Sequence, residues 1–212
     1  MRSPQGREIE IKLHVPDLHA VRRTLARLGA KAHDRIFESN TLYDTSDSRL
    51  RTSGRLIRLR LETRARNQIN PARAAASSAP QRAVLTYKAP IAGRAKPRTS
   101  RRYKERKEIE VEVANSTDLA RILEGLGMRP GFRYQKYRTK YTLKNLPRLE
   151  LDLDETPAGI FLELEGPRRQ IDRAARLLGY SRSDYDCRSY WDLHQEYCQR
   201  RGINAPHMIF DT

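Results

Sequence analysis

Carboxylates spaced two residues apart recur along this chain, at Glu8-Ile9-Glu10, Glu108-Ile109-Glu110-Val111-Glu112 and Glu163-Leu164-Glu165. In an extended strand residues i and i+2 share a face, so each segment sets its carboxylates on one side and Ile, Leu or Val on the other. Like charges that close repel unless cations lie between them. Basic side chains or a bound metal must supply the compensation. The basic residues alternate too: Arg58-Leu59-Arg60, Lys136-Tyr137-Arg138 with Lys140 beyond, Lys12 on the face of Glu8 and Glu10, and Lys88 at the end of Val84–Lys88. On one strand alone, such a face could be a solvated surface whose cross-strand ion pairs contribute roughly a few tenths of a kcal/mol each.

The elements that must position these residues are mostly strands. Period two runs through residues 7–14, Leu56–Leu61, Val84–Lys88, Glu108–Val113, Lys136–Leu143, Leu149–Leu153 and Phe161–Glu165, and Leu42–Tyr43 suggests a short eighth strand. Helical spacing joins Leu18, Val21, Leu25 and Leu28 before Gly29, then Leu119, Ile122, Leu123 and Leu126 before Gly127, with Ser116 and Thr117 as capping candidates. It returns at Ile171, Ala174, Ala175 and Leu178 before Gly179, and a last helix is expected over 183–201. Three times a Glu-x-Glu strand leads into a helix that ends in Leu-Gly, which is a weak internal repeat.

A strand followed by a helix also fits a parallel α/β sheet. However, the strands outnumber the helices and most are polar along one full face, whereas parallel strands buried on both faces read as continuous apolar runs. The expected class is therefore α+β, mainly β: a single domain over 1–212 built on an eight-stranded antiparallel barrel with helices packed outside. Residues 64–83 read as a mobile loop insertion between strands, and 93–105 as a basic, turn-rich connection.

Composition narrows the partner. The chain has 212 residues and a formal charge of +16, from 42 Lys and Arg against 26 Asp and Glu. That excess calls for something anionic: nucleic acid, a phosphorylated small molecule or an acidic membrane surface. No apolar run approaches the ~20 residues needed to span a bilayer, and Met1-Arg2-Ser3-Pro4 leads into a charged strand without a signal-peptide core. A cytoplasmic protein, monomer or homodimer, with no membrane partner is expected. Cys187 and Cys198 fall on the last expected helix, roughly 16 Å apart along its axis, too far for a disulfide. The five histidines share no ligand spacing and are expected at the surface. Trp191, Tyr185, Tyr190 and Tyr197 are read as packing residues.

Taken together, the strands give a sharper picture than any one of them. If every apolar face meets an outer helix, every charged face looks into the barrel, whose interior holds about one small ligand. Such a lining is costly without compensation. A polyphosphate with a divalent metal answers it, with cationic side chains on phosphate oxygens and carboxylates on metal.

Glu8-Ile9-Glu10-Ile11-Lys12 resembles the N-terminal ExExK signature of the CYTH superfamily, the triphosphate tunnel metalloenzymes. It is followed in order by Arg58-x-Arg60, Lys88, Glu108-x-Glu110, Lys136-x-Arg138, Asp154 and Glu163-x-Glu165, so the resemblance covers about residues 7–195. It implies a tunnel of eight antiparallel strands whose C-terminal helix can close one mouth, and Mg²⁺ or Mn²⁺ as cofactor. It implies metal ligation by Glu8, Glu10, Asp154, Glu163 and Glu165. Glu108 and Glu110 become a second acidic pair for another metal or for water. Lys12, Arg58, Arg60, Lys88, Lys136, Arg138 and, more peripherally, Arg106 become triphosphate ligands. Tyr43 is similar to a tyrosine that pairs with a lysine matching Lys136 to activate water, and Lys12 and Lys136 belong to the catalytic set. The activity implied is hydrolysis of inorganic triphosphate or a triphosphate-containing organic substrate. The alternative is class IV adenylyl cyclase chemistry, in which the ribose 3′-OH attacks the α-phosphorus of ATP. A non-catalytic binder of polyphosphate or nucleic acid is a further alternative, disfavoured because paired carboxylates repel phosphate.

Overall fold

The computed structural model describes residues 6–65, 82–91 and 102–211. Its strands are β1 (Arg7–His14), β2 (Lys31–Thr45), β3 (Leu56–Arg64), β4 (Arg82–Ala89), β5 (Lys104–Glu112), β6 (Met128–Thr142), β7 (Glu150–Thr156) and β8 (Gly159–Glu165). They close into an antiparallel barrel in the order β1-β5-β4-β3-β2-β6-β7-β8. The helices are α1 (Leu18–Arg27), α2 (Arg49–Thr52), α3 (Ser116–Gly125), α4 (Arg168–Leu177) and α5 (Tyr190–Arg201). The mainly-β barrel expected from the alternation is present.

The first and last repeats of strand and helix, β1 with α1 and β8 with α4, use the same division of faces. On β1, Ile11 and Leu13 are fully buried outside the barrel with Val21 and Leu25 of α1 and Ile171, Ala174 and Ala175 of α4. Glu8, Glu10 and Lys12 are also buried, on the other face. In β1, β7 and β8 the apolar half of the strand thus supplies the hydrophobic free energy that holds its charged half inward, whereas on β5 Ile109 and Val111 stay 47% and 57% exposed, so the expectation that every apolar face meets a helix fails there. A smaller cluster of Tyr43, Leu59 and Leu123 seats α3, and Phe132, Tyr134, Phe161, Tyr190 and Leu193 seat α5 over one end of the barrel.

Several boundaries differ from expectation. β2 is 15 residues long, not a short strand at Leu42–Tyr43, and adds Glu38 and Asn40 to the buried polar residues. Its polar residues fall on both faces, which hides a period of two. β5 begins at Lys104, inside the segment read as a connection, and β3 and β4 reach Arg64 and Arg82. Residues 66–81 of the first expected loop and 93–101 of the second lie outside the described residues. Asn115, not Ser116 or Thr117, caps α3, accepting from the amides of Thr117 and Asp118. The last helix starts at Tyr190, where Ser189 and Asp192 form a capping box. Before it, Asp186 pairs with Lys12 through two backbone hydrogen bonds, and a 3-10 turn spans Arg182–Asp184. Cys187 therefore precedes the helix, and neither cysteine forms a disulfide.

Gly166, directly after the last Glu-x-Glu, shows how closely the barrel packs. Its φ is +149°, its N–H donates to the Ile9 carbonyl at 3.0 Å, and a Cβ there would lie 2.5 Å from the Arg148 carbonyl oxygen. Gly29 has φ +70° with open space around it. Gly166→Ala is expected to cost at least about 2 kcal/mol, from backbone strain plus collision, and Gly29→Ala only about 1 kcal/mol. Urea unfolding measures both, and equal losses would contradict this account.

Candidate active site

Barrel closure sets β5, β1 and β8 side by side, so the three Glu-x-Glu strands become one wall. Register places Glu8 opposite Arg106, Glu10 opposite both Lys104 and Glu165, and Lys12 opposite Glu163. On this wall Glu8, Glu108 and Glu165 each bring a carboxylate oxygen within 4.8 Å of the other two. Lys88 of β4 answers them, with its Nζ 2.6 Å from Glu8 and 3.2 Å from Glu108. Its single charge is less than the three acids need. Burial, then Glu10, pushes Glu8 up to about 7 against the pull of Lys88. Burial, then Glu8, pushes Glu165 up to about 9. Glu165 also has Glu10 and Glu150 as its cross-strand neighbours. Three hard oxygen donors crowded together beside a single ammonium group fit a divalent cation such as Mg²⁺ or Mn²⁺, whose charge would favour their ionised form.

The other acids expected as metal ligands are already matched by cations. Glu10 lies 2.6 Å from Lys104 and 3.2 Å from Lys12. Burial would raise it, but these two ammonium groups overcome the effect and hold it well below the usual carboxylate range. Glu163 pairs with Lys12 at 3.1 Å and makes a short contact with Arg138. Asp154 is completely buried and accepts from Lys136 at 2.8 Å, from Arg138 at 2.7 and 2.6 Å and from the Tyr190 hydroxyl at 2.6 Å. The expected acidic set is therefore divided. Glu8 and Glu165 converge with Glu108, while Glu10, Glu163 and Asp154 hold side chains of Lys and Arg in place.

The opposite wall is cationic. Arg58 donates to Tyr134, Thr86 and Glu110, and Arg60 contacts Glu62 at 2.8 Å and Glu110 at 3.6 Å. Lys136 and Arg138 project from β6, and Arg106 lines the cavity from β5. Every expected triphosphate ligand faces one cavity of about 720 Å³.

Four functional candidates escaped sequence reading. Lys104 continues the face of Arg106, Glu108 and Glu110; burial pulls its amine down to about 8 because Lys12 and Arg106 offset the help from Glu10. Glu38 lies 3.6 Å from Lys136 and 3.8 Å from Arg138, and these cations hold it far below its ordinary value despite burial. Asp152 meets Arg138 at 2.7 Å, and burial still raises it to about 6. The fourth is Tyr190, whose ring lies 4.9 Å from Lys136 Nζ. The alternation Lys104-x-Arg106 and Asp152-x-Asp154 was a usable signal; Glu38 and Tyr190 had none.

Tyr43 does not take the position expected for it. Glu38 and Asn40 point inward, which turns Tyr43 to the outer face, where it packs with Leu59 and Leu123. The phenol beside Lys136 and its partner Asp154 belongs to Tyr190. His194 is likewise buried, with Nε2 2.8 Å from the Ala205 carbonyl oxygen, contrary to the surface placement expected of all five histidines. The cavity lining holds about as many acidic as basic side chains, so the excess positive charge lies elsewhere, as on exposed Arg23, Arg27, Arg129, Arg133, Arg169, Arg173 and Arg176.

The CYTH domain family model matches residues 6–190. The chain belongs to the CYTH domain family. A relative named "Putative adenylate cyclase" from Methanocaldococcus jannaschii is 24% identical over 172 residues, covering 81% of this chain and 83% of the relative. Among solved structures, a protein of the same name from Vibrio parahaemolyticus superposes with a TM-score of 0.67 at 18% identity, over 89% of this CYTH chain and 97% of its own. A Hippeastrum protein named as an adenylyl cyclase, described as revealing a dominant triphosphatase activity, superposes with a TM-score of 0.55 at 20% identity, over 94% and 98%. At these identities the structural likeness speaks for the fold. No helix among the described residues is long and apolar enough to cross a membrane.

Asp154 in this CYTH domain is surrounded by charge it must answer. Asp154→Ala leaves buried Lys136 without its nearest partner and buried Arg138 without one of its three close ones, and is expected to destabilise the fold by about 3–5 kcal/mol, measured by urea unfolding at pH 7. A loss below about 1 kcal/mol would show that the network is not structural.

Proposed function

We propose that this protein is a divalent-metal-dependent triphosphatase that hydrolyses the terminal phosphoanhydride bond of a triphosphate. The observation that carries the reading is the meeting of Glu8, Glu108 and Glu165 beside Lys88, across one cavity from the buried side chains of Arg58, Arg60, Lys136 and Arg138. Held by the three carboxylates, Mg²⁺ or Mn²⁺ would neutralise phosphate charge and polarise the scissile phosphoryl group.

The chain's own residues do the rest. Lys12, Arg58, Arg60, Lys88, Lys136 and Arg138 bind phosphate oxygens, which take over part of the pairing now made by Glu10, Glu110 and Glu163. Their positive charge stabilises the charge that shifts onto the leaving oxygen. Asp154 acts as a positioning residue, because it clamps Lys136, Arg138 and Tyr190 together. Glu110, two residues along β5 from Glu108 and held by Thr86 at 2.9 Å, orients the attacking water. The water oxygen bonds to the terminal phosphorus as its bridging P–O bond breaks, and the proton released goes to a carboxylate. The products are orthophosphate and the diphosphate. The dominant triphosphatase activity described for the Hippeastrum relative supports hydrolysis over cyclisation.

Incubation with Mg²⁺ or Mn²⁺ and either inorganic triphosphate or ATP should release orthophosphate without a cyclic product. Cyclic AMP with pyrophosphate would overturn the reading in favour of a cyclase. Metal-independent RNA or DNA binding that falls steeply with salt, with no turnover, would favour a binder. Glu8→Gln and Glu165→Gln are each expected to lower kcat/KM by at least about 100-fold, roughly 2.7 kcal/mol of barrier. Their melting temperatures should hold, because glutamine matches the shape of the neutral acid that burial favours. Retained turnover in both variants would refute the metal site.

A further inference from the structure

Outside the barrel, two helices turn charge of a single sign to the solvent. α1 and α4 rest on the same apolar cluster over the paired strands β1 and β8, burying Val21 and Leu25 of the one and Ile171, Ala174 and Ala175 of the other. Helical periodicity then turns Arg23 and Arg27 of α1, and Arg169, Arg173 and Arg176 of α4, away from the core, and all five are exposed. Exposed Arg148 joins them from the turn before β7, its amide donating to Gln170 Oε1 at 3.1 Å. No acid lies on α1, and α4 has only Asp172, which is buried and accepts from Tyr103, Tyr185 and Arg182. Asp17 feels the charge of Arg23, but its carboxylate accepts from the amides of His19 and Ala20 at the start of α1. Other exposed arginines find acids, as Arg64 finds Asp34 and Arg188 finds Asp186. Arg27, Arg148, Arg169, Arg173 and Arg176 form no ion pair among the described residues.

A row of like charges repels itself, and a polyanion relieves the repulsion. Arg169, Arg173 and Arg176 span about 10 Å along α4, and duplex nucleic acid carries one charge per about 1.7 Å of its axis, so a duplex laid along the row brings several phosphates to it. The cations are all arginines, whose planar fork takes two phosphate oxygens at once. Neither helix carries Phe, Tyr or Trp, so unpaired bases find no ring to stack on. An anionic membrane is the less suitable partner. Interfacial helices insert apolar side chains, and those of α1 and α4 are turned into the core, Leu177 at the end of α4 excepted. We propose that the outward face of α1 and α4 binds the phosphate backbone of duplex nucleic acid without reading its sequence. The barrel cavity takes no part, so this stands apart from the triphosphate reading.

Fluorescence anisotropy of a labelled duplex of about 20 base pairs, DNA or RNA, with the full chain should show Kd rising about 100-fold between about 50 and 200 mM KCl, as expected when about four phosphates release their counterions. Binding of either duplex supports the proposal, and the tighter one names the source. Arg173→Ala combined with Arg176→Ala should weaken binding at least about tenfold and lower the slope of log Kd against log salt by about 2, with triphosphate turnover unchanged. Arg129→Ala combined with Arg133→Ala removes the same charge from the far end of β6 and should leave that slope as it is. Equal losses in the two double variants, tighter binding of the unpaired strand than of the duplex, or binding to phosphatidylserine vesicles with none to either duplex would each overturn the proposal.

Discussion

A charge taken out of water must be answered by opposite charge within a few ångströms, and the interior of this barrel is arranged around that demand. Lys12, Glu10 and Lys104 form one such chain of contacts, and Glu163, Arg138, Asp154 and Lys136 another. Neither chain is held by hydrogen bonds alone. The outer faces of the same strands bury Ile11, Leu13, Leu151, Leu153, Leu162 and Leu164 against α1 and α4, and that apolar burial offsets the cost of turning the charged faces inward.

Against this balanced background Glu8, Glu108 and Glu165 stand out. They lie together with Lys88 as their close cation, and burial pushes two of them up toward or above neutrality. Elsewhere in the cavity the acids hold cations in place, whereas here the acids are in excess over their partner. That contrast separates side chains suited to positioning from side chains suited to ligation. Tyr190 ties the last helix to the cavity, because the helix packed on Phe132 and Phe161 also delivers a hydroxyl to the most buried acid, Asp154.

Much of this was legible from residue order. The alternation is clear over Glu8–Leu13 of β1, Ile57–Glu62 of β3 and Leu162–Glu165 of β8, because each stretch has one apolar and one charged face, and these strands are found where the period places them. The long β2 was not legible: with Glu38 and Asn40 inward and polar residues outward as well, it carries no contrast between its faces. The N-terminal part of β5 was missed for a similar reason, since Lys104-Glu105-Arg106-Lys107 is charged on both sides. The start of α5 was misplaced because Ser189 and Asp192 form their capping box inside a stretch whose composition already looks helical.

Sequence by itself determined which residues carry charge on one face of a strand, and hence the cationic and acidic lining and the family to which the chain belongs. Tertiary structure alone decided which acids stand together. Glu8, Glu108 and Glu165 are far apart along the chain, and only closure of the barrel, with β1 seated between β5 and β8, brings their oxygens within 4.8 Å. The same closure gave Lys104 to Glu10, turned Tyr43 outward and brought Tyr190 in. Period two tells which way a side chain points, but its neighbours across the sheet depend on strand order and register, which are set by long-range pairing.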